Sequence, residues 1–238
     1  MNNVSFYSPG YTGYGSALSL NKQKSQYVFV NKRIDMVNRS FTWEMWVYPK
    51  NLTSEDFVLV GSCSSTSTNL CLHLMIRQKK MLFAFYSNDC SGSTIIKSDQ
   101  WYHFAFVYNY DIRTKFVYLN GNIECVQTNS APYQGHSNIT AIGAIYRSDV
   151  PTLFWSGYID QLSYVPKVKT DAEILADATL VAYYSFDNDG PFLDSGPNNI
   201  NGVNNIMHIF TLFFSLSRLD RCEYIVNNRL CQSKSSVQ

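Results

Sequence analysis

Along most of the chain, apolar and polar positions alternate over short runs separated by small polar clusters. In "SFTWEMWVYP", Ser40 to Pro49, the residues Phe41, Trp43, Met45 and Val47 share one face of an extended segment. Thr42, Glu44, Trp46 and Tyr48 share the other. Aromatics on both faces predict a sandwich strand whose outer side is partly covered, and Pro49 ends it. "DFVLVGSC" and "CLHLMIR" read as two strands joined by a polar loop, with "MLFAFYS" following the charged turn Arg77 to Lys80. "WYHFAFVY", Trp101 to Tyr108, is the most apolar run. It turns through "NYDIRT" and returns as "KFVYLNG", where Asn120-Gly121 signals a hairpin. "ITAIGAIY", "LFWSGYIDQLSYV" and "LVAYYSFD" supply further strands. Thr170 and Glu173 stand at capping-box spacing ahead of Ile174 and Leu175, which predicts one helix of about seven residues. The pattern is that of an all-β chain. Trp101 is assigned to its core. His103, on a strand apolar on both faces, is assigned to packing, because no catalytic partner stands at a recognisable spacing.

The composition fits this picture. Of 238 residues, 45% are hydrophobic and only 16% charged, which favours a packed core over disorder. The formal net charge of +1, with no basic cluster, argues against nucleic acid or an anionic membrane as partner. "IMHIFTLFFSL", Ile206 to Leu216, is shorter than the roughly 20 apolar residues of a bilayer span. The start "MNNVSFYSPG" has no signal-peptide pattern, so a secreted reading expects the chain to be a fragment of something longer.

Six cysteines, none in a CxxC, predict disulfides and an oxidising compartment rather than zinc; buried free thiols are the alternative. Cys63 and Cys71 flank a short loop between two strands and are expected to pair. Cys90 with Cys125, and Cys222 with Cys231, follow partly by elimination. Asn3, Asn38, Asn51 and Asn138 head glycosylation triplets next to strand ends, a number that chance alone nearly supplies in a chain this rich in Asn, Ser and Thr.

The order "FTWEMWVYP", "WYHFAFVYN", "VYLNGN", "FWSGYIDQLSYVPKVKTDAEIL" and "YYSFDNDGPFLDSGPNNING" resembles the LamG-like jellyroll family, the laminin-G-type domains of the concanavalin A-like lectin/glucanase superfamily. The likeness covers about Val4 to Ala178, with a further piece from Leu180 to Val203. It implies an antiparallel two-sheet jelly roll with one short helix near the C-terminal end of the domain. It also implies an extracellular module for recognition or adhesion that binds a glycan or a protein. Many such domains hold calcium. The resemblance makes Asp160, in the G-x-I-D strand, the residue to test, with Asp194 and Asn198 as loop ligands. The other reading of Asp160 is a carboxylate that caps backbone amides at the sandwich edge.

Trp46, Tyr48, Tyr133, Tyr146 and Trp155 are the aromatics expected to stack on sugars or anchor a partner, with ordinary packing as the alternative for each. The superfamily also contains glycoside hydrolases, but their paired carboxylates have no counterpart here, so a non-enzyme is expected. A glycosidase or a structural spacer repeat are the rival readings. The domain is placed at residues 1–179. Residues 180–205 are read as the first strand of a following repeat, or as a permuted strand that pairs with "GYIDQLSYV" and completes the domain. Residues 206–238 are an unassigned tail.

Overall fold

The computed structural model describes residues 4–30, 32–179, 182, 192–193 and 201–203. Its strands form two large antiparallel sheets, packed face to face. The first sheet, in spatial order, contains β1 (Ser5–Tyr7), β2 (Ala17–Leu20), β15 (Gly157–Val165), β4 (Phe41–Pro49), β9 (Tyr102–Asn109), β10 (Thr114–Leu119) and β11 (Asn122–Gln127). The second contains β3 (Val28–Val30), β12 (Thr140–Ile142), β5 (Phe57–Cys63), β6 (Cys71–Arg77), β7 (Lys80–Ala84) and β8 (Asp89–Ser91). A small hairpin, β13 (Ile145–Arg147) and β14 (Val150–Thr152), is hydrogen-bonded into neither sheet. This is the jelly-roll sandwich that the alternation and the resemblance imply.

The inward set of β4 (Phe41, Trp43, Met45 and Val47) meets Phe104, Phe106 and Tyr108 of β9 and Leu72, Leu74 and Phe83 of the opposing sheet in one buried cluster. Burying an aromatic or aliphatic side chain contributes about 1.5–3 kcal/mol, so this layer dominates stability. Each sheet also has a smaller apolar patch on its outer face. On the six-stranded sheet, Val58, Met75, Leu82 and Ala84 lie under Ile145 and Leu153 of the β13–β14 segment. On the seven-stranded sheet, Ala105, Val107 and Tyr118 lie under Ile174 of the helix α1 (Asp171–Thr179). The helix starts as its capping box dictates. Glu173 N donates to Thr170 Oγ1 at 3.2 Å, and Thr170 N donates to Glu173 Oε2 at 2.7 Å.

Cys63 is bonded to Cys71, its register partner across the β5–β6 hairpin. Cys90 of β8 is bonded to Cys125 of β11 and ties the edge of one sheet to the edge of the other. Beside it, Glu124 accepts from the backbone N–H groups and hydroxyls of Ser93 and Thr94. Cys222 and Cys231 lie outside the described residues, as does "LVAYYSFD" apart from Ala182. β15 is bonded to β4 along one side, and on the other to β2 over Gly157–Ile159.

Candidate functional site

Every second side chain of β4 and β15 points away from the core, and near one end of the seven-stranded sheet these outward residues are aromatic. Tyr158 of β15 is the register partner of Tyr48 of β4, with ring centroids 5.3 Å apart. Tyr7, from the edge strand β1, stacks on Tyr158 at 4.0 Å with an interplanar angle of 8°. Trp101, just before β9, meets Tyr48 edge-on at 5.4 Å. Lys50 Nζ stands 5.1 Å from the centre of the Tyr158 ring. Tyr48, Trp101 and Tyr158 are half-buried and Tyr7 is 40% exposed, so the four rings form an open aromatic surface.

Trp46, one position further along the outward face of β4, is covered. Tyr11 lies flat on it, with centroids 3.3 Å apart and planes 15° apart, and Trp46 is left 7% exposed. Asp160 holds this lid in place. A bulge in β15 between Asp160 and Ser163 breaks the register with β4. Such bulges re-aim side chains. The Asp160 carboxylate accepts from Tyr11 N at 2.8 Å through Oδ2 and from Gln161 N at 2.9 Å through Oδ1. Gly10 makes the approach possible, since a Cβ there would strike Asp160 Oδ2 and the Tyr14 carbonyl. At the start of β15, a Cβ on Gly157 would collide with the Tyr48 carbonyl, so glycine lets β15 lie against the end of β4.

Beyond Trp46 the same face becomes polar and buried. His103 packs against Trp46 with ring centroids 5.2 Å apart, and its Nε2 is 3.7 Å from Glu44 Oε1. Lys169 Nζ contacts both Glu44 and Asp177. Burial lowers the His103 pKa to about 4, so the imidazole is neutral at pH 7. Burial also raises the Glu44 carboxyl, against the opposing pull of Lys169. Glu44 is 3% exposed beneath the helix side of the sheet. Asp177 forms the partly exposed rim of this charge cluster, and a substrate cannot reach Glu44 without displacing its cover.

The structure separates the aromatics singled out from sequence. Trp46 and Tyr48 belong to the outward face just described. Tyr133 and Trp155 are wholly buried: Tyr133 donates to the Ser62 carbonyl at 3.0 Å and packs on Phe85, and Trp155 meets Phe57 edge-on. Neither presents a surface to a ligand. Tyr146 is half-buried on β13, with its hydroxyl 2.6 Å from that of Tyr27. Trp101, expected in the core, is instead part of the outer surface, because it shares the parity of His103 and not that of Tyr102. Tyr7, Tyr11 and Tyr158 escaped the sequence reading. Tyr158 had a usable signal, since it has the same parity as Asp160 in "GYIDQ".

A calcium ion takes six to eight oxygen ligands. Both Asp160 oxygens already accept backbone N–H groups, and no cluster of three or more His, Cys, Asp or Glu able to hold a metal forms among the described residues. Asp194 and Asn198 lie outside the described residues, as does Asn3. Asn38, Asn51 and Asn138 are exposed in loops. Among the described residues no helix is long and apolar enough to cross a membrane.

A family model described as "Concanavalin A-like lectin/glucanases superfamily" matches residues 22–175. No curated protein matches the chain. Among solved structures, the chain resembles domain 4 of AbnA, an extracellular GH43 arabinanase from Geobacillus stearothermophilus, solved in complex with arabinotriose. The identity is 20%, over 73% of this chain and 80% of that one, with a TM-score of 0.56. It also resembles a putative carbohydrate binding protein from Bacteroides ovatus at 15% identity, over 68% of this chain and 49% of that one, with a TM-score of 0.51. A third likeness is to the NanB sialidase from Streptococcus pneumoniae, at 17% identity, over 68% of this chain and 27% of that one, with a TM-score of 0.55. At these identities the likeness is one of fold.

Proposed function

We propose, from the premise that this chain belongs to the concanavalin A-like lectin/glucanase superfamily, that it is a non-catalytic module binding a glycan on the outer face of its seven-stranded sheet. The observation that carries the reading is the open surface made by Tyr7, Tyr48, Trp101 and Tyr158. The apolar faces of sugar rings stack on aromatic side chains, and a row of rings presents several such positions at once with little conformational entropy to lose. Domain 4 of the arabinanase, a relative in fold, was solved with a bound trisaccharide, which supports an oligosaccharide as the ligand class. Two disulfides favour an oxidising, extracellular setting, where glycans are abundant.

The non-catalytic part of the proposal rests on Glu44 and Asp177. Glycoside hydrolysis needs two carboxylates flanking the scissile bond, one to donate a proton and one to act as nucleophile or base. These two are instead drawn together by Lys169, and Glu44 is sealed from solvent. A glycan array, followed by incubation of each bound oligosaccharide with the protein and product analysis, tests both halves. Binding without cleavage is expected; release of shorter sugars would make the chain an enzyme.

A further inference from the structure

The outer face of the six-stranded sheet carries a cavity of about 350 Å³, on the opposite side of the sandwich from the aromatic surface. It is lined by His73 and Arg77 of β6, by Tyr86 and Asp89, and by Arg147 at the end of β13. The volume is at the lower end of the range for ligand pockets, ~300–1,000 Å³. The wall that supplies Arg147 is firmly seated. Ile145 and Leu153 pack on Val58, Met75, Leu82 and Ala84, and Gly61 lets the strand approach closely, since a Cβ there would strike Ile145 and the Ala144 carbonyl.

The charges around this cavity are unevenly paired. Arg77 donates to both oxygens of Asp56, with Asp89 at 3.9 Å. Its charge is therefore offset. Arg147 donates instead to His73 Nε2 at 2.8 Å. Burial, and then the Arg147 charge, lower the His73 pKa to about 4, so this acceptor is neutral at pH 7. Among the described residues no carboxylate forms an ion pair with Arg147, and its Nε is buried without a partner. A guanidinium carries five donors in a planar fork, and one neutral imidazole uses only part of that capacity.

We propose that the cavity binds a carboxylate, carried either by an acidic sugar or by a small free acid, with Arg147 as its anchor. A carboxylate matches the fork in shape and gives Arg147 the charged acceptor that His73 does not supply. Asp89 in the same cavity disfavours a dianion such as phosphate or sulfate. The site is independent of the aromatic surface, and neither requires the other.

The test is titration of the whole chain, by calorimetry and by NMR, with galacturonate, galactose and acetate. Galacturonate is expected to bind at least tenfold more tightly than galactose. Arg147→Ala and Arg147→Lys are expected to weaken it at least tenfold. Acetate binding as tightly as galacturonate assigns the ligand to free acids; weaker acetate binding assigns it to an acidic sugar. Should Arg147→Ala fail to fold, Arg147→Lys carries the test, because it keeps the charge and loses the fork. Equal binding of galactose, no binding of either acid, or full affinity in the Arg147 variants overturns the proposal.

Discussion

Tyr158 stands directly across from Tyr48 on adjacent strands, with the two rings 5.3 Å apart and inclined by 29°. A cross-strand aromatic pair is an ordinary device for stabilising a sheet. Here, however, the pair faces away from the core, and Tyr7 and Trp101 extend it on either side. The core is already complete on the other face of these strands, so the rings are not needed to seal it.

Asp160 is expected to govern the cover on Trp46. Asp160→Ala removes the acceptor of Tyr11 N, a loss on the order of 1–3 kcal/mol for a charged hydrogen bond. Tyr11 should then leave Trp46, and tryptophan emission should shift to longer wavelength. An unchanged spectrum would mean that the stacking holds without the carboxylate.

The Cys90–Cys125 bond closes a separation of 35 residues between the two sheets. In the chain-entropy account, removing a bond over such a loop costs roughly 3–4 kcal/mol. Replacing both cysteines by serine should lower the denaturant midpoint. The Cys63–Cys71 bond spans only 8 residues within one hairpin, and its removal should cost less.

The two buried histidines set an acid limit. His73 and His103 have pKa values lowered to about 4 in the fold, against an ordinary value of 6.5. Between pH 6.5 and about 4 the unfolded chain binds protons that the folded chain refuses. Stability present above pH 6.5 is therefore lost as pH falls through this window, up to roughly 3 kcal/mol per histidine. Glu44, whose carboxyl is raised by burial, pulls in the opposite sense and offsets part of the loss. Urea midpoints measured from pH 7 to pH 4 should fall, and His73→Gln and His103→Gln should each flatten the curve.

Trp155 and Trp101 should respond in opposite ways. Truncating the fully buried Trp155 to alanine should cost roughly 3–5 kcal/mol. Trp101→Ala, at a half-buried surface position, should shift the Tm by no more than about 5 °C. A Tm drop for Trp101→Ala as large as for Trp155→Ala would return Trp101 to the core.

The long central strands, the hairpin cysteines and the capped helix were legible because each depends on local periodicity or spacing; the short strands β1, β2, β3, β8 and β14 were not. Also legible was the outward direction of Trp46 and Tyr48, which stand on the polar parity of a strand whose other face is plainly core. Tyr7 and Tyr11 were not legible. They come from a three-residue edge strand and a loop, and reach Tyr158 and Trp46 only through the fold. Tyr133 and Trp155 misled for the converse reason. They lie outside the regular strands, yet the chain there dips into the sandwich. Arg147 gave no signal, because its meaning depends on the neutral His73 opposite it and on the missing carboxylate.

The most direct measurement is the affinity of the wild-type chain, Trp101→Ala and Tyr158→Ala for the best oligosaccharide on a glycan array, with Tm recorded for all three. The account predicts that the wild type binds an oligosaccharide and that each variant loses about tenfold, near 1.4 kcal/mol, while remaining folded. No binding to any glycan, or undiminished binding by both variants, would contradict it.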